Sequence, residues 1–312
     1  MDLNTFNIVV VGAGALGSAF LKRISTERIG SIKIVDGDVV SSKNLVNQKL
    51  YSTDDVEKYV QKADAARRAL DKLGTAARLI SEPRYIGRSN AYLILQGADL
   101  VVDATDNIET RLIINDVCSK SSIPLMIASI RKVEGFFYLI DWKAACFNCL
   151  SRNSTQRIDT GCDAISADSA EFLSELMFRR IVDFFSDGSS ASFFTTVSFK
   201  THSQLSVAIK KDPDCETCAK HFYKPDTNSG FVQMCGDGIK FSLQHDLDIA
   251  QLAAKLPSPQ IKDNGNAVMT VTGRKQVFIS RYGDLLFTGY SENEAHSFIE
   301  RLRSLGVVSS GA

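Results

Sequence analysis

Residues 6–17 read FNIVVVGAGALG, and this stretch decides the fold of the chain. The first six residues have almost no polar face, which is typical of a strand buried on both sides. Gly12, Gly14 and Gly17 then permit a tight turn into a helix predicted over residues 18–26. Such a glycine loop lets backbone N–H groups approach a phosphate or a ribose at the helix N-terminus. The alternative is a tight turn with close helix packing and no ligand.

The segments on either side of this loop alternate between strand and helix patterns. Apolar runs predict further strands at 31–36, 78–80, 99–103 and 125–129, and helical spacing predicts helices over 54–73 and 109–120. This order predicts a Rossmann-like α/β fold with a parallel nucleotide-binding half and helices on both faces.

The pattern changes after about residue 131, where an antiparallel continuation is predicted. It comprises strands at 135–141 and 195–210 and a long helix over 167–185. From residue 236 onward, four short apolar runs (IKFSL, VMTVT, QVFIS, LLFTG) and two helical patterns at 249–256 and 293–305 predict a small α+β domain. We therefore expect two domains, residues 1–235 and 236–312.

Composition excludes several classes of protein. The 312 residues include 36 basic and 36 acidic side chains. A nucleic-acid binder needs a basic excess on one face, so this neutral balance argues against one. No apolar stretch approaches the ~18 residues that a membrane span requires. The first residues carry no basic segment of the kind that opens a secretory signal, so a cytoplasmic protein is expected.

Two acidic segments follow predicted strands. Asp36 and Asp38 end the second strand, about 20 residues after the glycines, where a carboxylate commonly binds ribose hydroxyls of NAD or ATP alike. For Asp38 a solvated turn is the alternative. Residues 103–107 read DATDN at the carboxyl edge of the sheet, where ligands bind in open α/β folds. Asp106, with Asn107 beside it, could hold Mg²⁺ against nucleotide phosphates; capping of the following helix is the compatible alternative.

Four of the seven cysteines form two CxxC pairs. Cys146 and Cys149 make one pair, and Cys215 and Cys218 make the other, with 65 residues between them. Two such pairs are typical of a closed, structural zinc site, whereas a single pair would also suit redox chemistry. Cys162 lies in a polar, glycine-flanked segment just before a predicted helix. A thiol there can have a lowered pKa, so it is either a reactive cysteine or an ordinary loop residue.

In this order, GAGALG, DGDVVSSKNLVNQ, DATDN, CFNC and CETC resemble the ubiquitin-activating-enzyme superfamily, in its ThiF/MoeB/HesA branch. The resemblance runs from about residue 6 to 218. It implies ATP-dependent adenylation, with Mg²⁺, of the C-terminal glycine of a ubiquitin-like or sulfur-carrier protein ending in Gly-Gly, and a homodimer. The tail is similar to the small C-terminal domain of some ThiF-like proteins.

The resemblance also assigns residues to the nucleotide. The residues that would approach the nucleotide are Gly12, Gly14, Ala15 and Gly17, and Asp36 would hold the ribose. The residues expected near the phosphates are Asn44, Asn47 and Gln48, and Lys62 would contact phosphate if a two-residue insertion is allowed. Asp106 would bind Mg²⁺ beside Asn107. Cys162 matches the position of the reactive cysteine of the family, without its glycine-rich continuation. It is a candidate for a thioester or persulfide relay.

At two places this sequence departs from the family pattern, and each departure removes a positive charge that would act on the triphosphate. The family usually has arginine where Asn47 stands, and an arginine-rich segment where only MDLNT precedes Phe6. Arg111, Arg131, Lys132 or a partner would have to supply that charge. A second hypothesis is therefore a non-catalytic or partner-dependent subunit of a heterodimeric activating enzyme. A third, an NAD-dependent oxidoreductase, leaves DATDN unexplained.

Overall fold

The computed structural model describes residues 3–153, 165–188, 193–223, 232–233, 238–243, 245–257, 259–262 and 265–307. A mixed sheet of eight strands is built from residues between positions 7 and 208. Its strands are β1 Asn7–Val11, β2 Ser31–Val35, β3 Arg78–Glu82, β4 Leu100–Asp103, β5 Leu125–Arg131, β6 Glu134–Ile140, β7 Phe193–Ser198 and β8 Ser203–Ala208.

The strands of this sheet lie in the order β3-β2-β1-β4-β5-β6-β7-β8. The pairs from β3 to β5 are parallel, and those from β5 to β8 are antiparallel. The predicted α/β class, with a parallel half and an antiparallel continuation, is confirmed. The helices around it are α1 Ala15–Ile24, α2 Thr53–Glu57, α3 Lys62–Lys72, α4 Ala91–Leu95, α5 Ile108–Lys120, α6 Phe147–Asn153 and α7 Ala167–Asp187.

Both faces of the parallel half are buried. Along β1, Ile8 and Val10 belong to one core cluster and Val9 and Val11 to another. The first cluster includes side chains of α1, α3 and α7, and the second includes side chains of α4 and α5. Because side chains alternate across a strand, a strand covered by helices on both faces must be apolar at every position, which explains the FNIVVV run.

A second, antiparallel sheet, called here the C-terminal sheet, has the order β11-β12-β13-β14-β10-β9. Its elements are β9 Val232–Gln233, β10 Gly238–Ser242, α8 Ile249–Lys255, β11 Gln260–Lys262, β12 Ala267–Thr272, β13 Lys275–Ser280, β14 Asp284–Thr288 and α9 Glu292–Ser304. It has its own core of alternate strand residues packed against α8 and α9. The sheet begins at β9, before residue 236, and the division into domains 1–235 and 236–312 stays a prediction.

Two sequence-based element predictions are wrong. The helix expected over 54–73 is two helices, α2 and α3, because Tyr59 between them has a left-handed backbone (φ 55) and residues 39 and 61 form a β-bridge. The single strand expected over 195–210 is the β7–β8 hairpin, whose apolar alternation continues through the turn. None of the helices that the structure describes is both long and apolar enough to cross a membrane.

Candidate functional site

The glycine loop lies at the carboxyl end of β1. The space around each of its three glycines differs. A Cβ on Gly12, which has φ +90, would meet the backbone of Ala104 at 2.9 Å, and one on Gly17 would lie 1.9 Å from the Gly12 carbonyl oxygen. Gly14 faces open space and is the N-cap of α1, with no side chain capping the helix. Backbone N–H groups of α1 are therefore available to an anion at this end.

Tyr51 holds the glycine loop through a hydrogen bond. Its side chain is buried, and its hydroxyl donates to the Ala13 carbonyl oxygen at 2.5 Å. No local sequence pattern points to this residue, because its partner lies 38 positions away.

Asp36 follows β2 and faces the same loop. Its carboxylate accepts hydrogen bonds from the backbone N–H groups of Ala13 at 2.7 Å and Asp38 at 2.8 Å. Burial raises the pKa of Asp36 to about 6, although the nearby ammonium of Lys62 acts to lower it. The carboxylate is thus fixed beside the glycines at the end of β2, in the place predicted for a ribose ligand.

Asp38 and Lys62 form an ion pair next to Asp36. Lys62 Nζ lies 2.8 Å from Asp38 Oδ2, and the Tyr85 hydroxyl donates to Asp38 Oδ1 at 2.6 Å. Although burial acts to raise the pKa of Asp38, its contacts with Lys62 and Tyr85 lower it. Asp38 is therefore a partnered residue rather than a solvated turn.

The backbone explains how Lys62 reaches this pair. The bridge between Val39 and Gln61 sets α3 against the strand end, and the Lys62 N–H donates to the Asp38 carbonyl oxygen at 2.7 Å. The charge of Lys62 is stabilised by Asp38 and Asp36, and also by Asp106. Its pKa is raised although burial acts to lower it. Lys62 therefore lies among the carboxylates despite its irregular spacing in the sequence.

The loop after β4 presents Asp106 to solvent. Asp106 is exposed, whereas Asp103 at the strand end is fully buried. The residue that caps α5 is Asn107, whose side chain accepts from the Thr110 N–H at 2.9 Å, so the capping alternative applies to Asn107 instead of Asp106. Asp106 is thus an accessible carboxylate at the edge that carries Asp36 and Lys62.

Arg111 does not face this edge. It is fully buried, and its guanidinium donates to the carbonyl oxygens of Thr105 and Ala128. Its Nε lies 3.8 Å from Asp103 Oδ2. It therefore holds the 103–107 loop from inside and does not offer the phosphate-binding charge for which it was a candidate.

Residues 44–48 have separate roles. Asn44 Oδ1 accepts from the N–H and hydroxyl of Ser41, which caps the short 3-10 turn Ser42–Val46. Asn47 donates to the Ile165 carbonyl oxygen at 3.0 Å, so it links this turn to the start of α7. Gln48 is buried, and its Oε1 has no hydrogen-bond partner in the part of the chain described.

The four paired cysteines come together in the core cluster that also contains side chains of α4 and α5. Cys146 and Cys149 lie at the start of α6, and Cys215 and Cys218 lie in a turn held against α5 by Ser119, whose hydroxyl donates to the Thr217 carbonyl oxygen. All four are buried, and their sulfur atoms lie within 4.8 Å of one another. This cluster could bind a metal ion.

The remaining cysteines have different outcomes. Cys118 is fully buried in the core. Cys162 and Cys235 lie outside the described residues, so the relay role of Cys162 stays a prediction.

The nucleotide-site prediction missed Tyr51, discussed above, and Tyr85. Tyr85 follows β3, which ends at the same sheet edge as β1, β2 and β4. The carboxyl end of each parallel strand is a place to look for site residues. That rule points to residues 83–85 once the strand is known to end at Glu82, two residues beyond the predicted end at 80.

Comparison with known proteins finds a family that this chain matches. The ThiF family description matches residues 1–217. The sulfur carrier protein ThiS adenylyltransferase of Bacillus subtilis (strain 168) is 36% identical over 143 residues, which is 46% of this chain and 43% of that protein. The SAMP-activating enzyme E1 of Haloferax volcanii is 35% identical over 143 residues, 46% of this chain and 52% of that protein.

The chain thus spans about half the length of these curated relatives or less. Among solved structures, a crystal structure of E. coli MccB with ATP matches with a TM-score of 0.60 and 21% identity, covering 69% of this chain and 68% of that one. That likeness concerns the fold. The family match covers more than half of the chain, and the chain belongs to the ThiF family.

Proposed function

We propose that this member of the ThiF family is an ATP-dependent adenylyltransferase that activates the C-terminal glycine of a ubiquitin-like or sulfur-carrier protein. The observation that carries the proposal is the grouping of Asp36, Lys62 and Asp106 at the sheet edge, beside the N-terminus of α1. The ThiS adenylyltransferase and SAMP-activating relatives support the same class of reaction.

The arrangement suits nucleotide binding. The N–H groups at Gly14 and Ala15 would donate to phosphate, because no side chain caps α1 there. The Asp36 carboxylate would accept from ribose hydroxyls, and Gly12 and Gly17 allow the close approach of backbone that shapes the loop. Lys62 would donate to a phosphate oxygen, and Asn44 and Gln48 would lie nearby. Asn47, already bonded to Ile165, would act on the shape of this turn.

The reaction joins two anions. A carboxylate oxygen of the carrier attacks the α-phosphorus, the bond to the leaving pyrophosphate breaks, and an acyl adenylate forms. The chain must offset the repulsion between the entering carboxylate and the phosphates. Asp106 is the exposed carboxylate that would hold Mg²⁺, which supplies positive charge when bound, and Asn107 keeps the loop in place as the cap of α5.

For the cysteine cluster we propose structural zinc. Four ligands at about 2.3 Å in tetrahedral geometry place sulfur atoms about 3.8 Å apart. The Cys146–Cys215 and Cys149–Cys218 sulfur distances are 3.7 and 3.5 Å. Burial raises the pKa of the Cys146 thiol and raises that of Cys218 to about 12, so a divalent cation would have to offset the cost of ionising these two thiols. Although burial acts to raise the pKa of Cys149, hydrogen bonds from the backbone N–H groups of Asp212 and Cys146 help to lower it. With four thiolate ligands the site would be closed and not catalytic.

Two further parts of the proposal depend on the relatives. We expect a homodimer, as in other members of the family. The second copy could then supply the positively charged side chain that the phosphates need and that this chain lacks at the expected positions. Cys162 would act after adenylation, in a thioester or persulfide relay. Its test is the substitution Cys162→Ser, for which we expect normal adenylation and loss of the downstream transfer.

The test of adenylation is pyrophosphate exchange with candidate Gly-Gly-ending carrier proteins. We expect Asp106→Asn to lower carrier-dependent exchange about a hundredfold or more, since it removes a group that acts on transition-state charge. Asp54→Asn, at an equally exposed aspartate in α2, is the matched control and should keep full exchange. Full exchange in Asp106→Asn would remove Asp106 from the mechanism.

The same experiment distinguishes the second hypothesis. Wild-type protein that binds ATP but gives no exchange with any carrier would favour a partner-dependent subunit. The observation in favour of that subunit is that Asn47 and Arg111, at or near the expected positions of cations, make structural contacts instead.

A further inference from the structure

The C-terminal sheet lies against the edge that carries the proposed nucleotide site. Asp284 Oδ2 accepts from the Tyr85 N–H at 3.3 Å, and Arg84 lies 3.1 Å from Asp246. Tyr85 is the residue whose hydroxyl donates to Asp38. One hydrogen-bonded path therefore leads from the C-terminal sheet to the carboxylates at the end of β2.

The face of this sheet opposite its core carries polar residues where it meets the site. In β10, Ile239 and Phe241 belong to the core of the C-terminal sheet, so Lys240 and Ser242 point to the opposite side. Ser242 is paired with Asp284 across the β10–β14 register and hydrogen-bonds to it. A lysine and an aspartate thus share the face that touches Tyr85.

Lys240 brings its ammonium group to the nucleotide edge. Its Nζ lies 3.8 Å from the centroid of the Tyr85 ring, a cation–π contact that leaves N–H donors for a further partner. Burial lowers the pKa of Lys240. Nearby carboxylates act in the opposite direction, and they belong to Asp284, Asp38, Glu109 and Asp36. Asp36 and Asp38 follow β2, and Glu109 lies in α5 after β4, so the ammonium group of Lys240, lying on the Tyr85 ring, interacts with charges at both strand ends.

The charge at these strand ends favours the presence of such a group. Asp36, Asp38 and Asp106 lie around Lys62, which is already paired with Asp38. A nucleotide phosphate entering this cluster meets more negative than positive charge, and a semi-buried ammonium is worth more there than on an open surface.

We propose that Lys240 is a nucleotide-binding residue, contributed by the C-terminal sheet, whose ammonium group donates to a phosphate of the bound nucleotide. The inference rests on the proposed nucleotide site. It gives the C-terminal sheet a role as one wall of that site, with Tyr85 as the support on which the lysine lies.

The test is calorimetric titration of the full chain with Mg²⁺-ATP, AMP and adenosine. In Lys240→Ala we expect ATP and AMP affinity to fall about tenfold or more, the size of a hydrogen bond between charged groups, and adenosine affinity to stay unchanged. Lys240→Arg should recover much of the affinity for ATP. Lys262→Ala is the matched control, because Lys262 also lies over a tyrosine ring, that of Tyr59 at 4.4 Å, and should bind all three ligands normally.

The outcomes separate this inference from the proposed function. Wild-type protein that does not bind ATP would contradict the nucleotide site itself. Wild-type binding with unchanged ATP affinity in Lys240→Ala would overturn the role of Lys240 alone. An equal loss for adenosine and ATP would also overturn it, since Lys240 would then only support the wall; melting curves confirm that each variant is folded.

Discussion

Arg111 lies one helical turn after Asn107, the cap of α5, yet its guanidinium points into the core. Three polar neighbours account for this: the carbonyl oxygens of Thr105 and Ala128 and the carboxylate of Asp103. A buried charge is tolerated only when it is paired and hydrogen-bonded. Arg111 therefore fixes the loop that presents Asp106, and its effect on any chemistry at Asp106 is indirect.

Substituting Arg111 tests that structural role. We expect Arg111→Met to lower the free energy of unfolding by about 3–5 kcal/mol, because Asp103 would remain buried without its partner. Urea denaturation followed by circular dichroism gives this quantity. The control is Arg179→Met, which removes an exposed i,i+4 pair with Glu175 and should cost at most about 1 kcal/mol. Equal stability of the two variants would contradict the account of Arg111.

The raised pKa of Asp36, about 6, makes a pH-dependent prediction. Burial favours the neutral acid in the folded chain, so the stability that this proton contributes is present below the ordinary pKa of about 3.9 and is lost as pH rises through 6. Only the carboxylate can accept from both ribose hydroxyls. We therefore expect adenosine affinity to rise between pH 5 and 7, and the rise to be absent in Asp36→Asn. Adenosine is the ligand of choice because it has no phosphate that titrates in this range.

At the scale of elements, the sequence predicts the regular parts well and fails where backbone conformation is set by distant contacts. Strands β1 and β4 carry apolar residues on both faces, β2 carries Ile32 and Ile34 on one face, and these patterns are sufficient to predict the strands. The break between α2 and α3 depends on the left-handed backbone of Tyr59 and on the bridge between Val39 and Gln61, neither of which has a local signature.

The candidate site shows the same division. Gly12, Asp36 and Asp106 could be predicted, because each follows a recognisable strand that ends at one edge. Tyr51 and Lys240 could not, because they reach the site from 38 residues beyond the loop and from a different sheet. Arg111 was misassigned because helical spacing gives the turn on which a residue lies and says nothing of the carbonyl oxygens beneath it.

The cysteine cluster joins α6 to the turn at 215–218 across 65 intervening residues, so a metal ion there would link two distant elements. We expect about one zinc per chain by elemental analysis, and loss of the metal in Cys215→Ser together with at least about 2 kcal/mol of stability, since metal binding is coupled to folding. Cys118→Ser, at a buried core cysteine outside the cluster, should retain the metal. A wild-type chain purified without metal and unaffected by chelator would refute the zinc assignment.

At the scale of the whole molecule, two sheets with separate cores meet at a polar contact. The C-terminal sheet packs α8 and α9 on one face and presents Lys240, Ser242 and Asp284 on the other. Polar faces of antiparallel sheets usually meet water. Here Lys240 and Asp284 contact Tyr85 instead, so we expect a ligand bound at the first sheet to affect the second.

Hydrogen–deuterium exchange measures this transmission directly. On addition of Mg²⁺-ATP we expect slower amide exchange in peptides that cover Tyr85 and the 103–107 loop, and also in peptides that cover β10 and β14. Strand β8 is the internal control: it is exposed along its length, lies at the far end of the first sheet and should exchange at an unchanged rate. Protection confined to the first sheet would mean that the C-terminal sheet does not form a wall of the site. Protection of both, lost in Lys240→Ala only for β10 and β14, would identify this lysine as the link between the two sheets, because ligand binding slows exchange where it suppresses local opening.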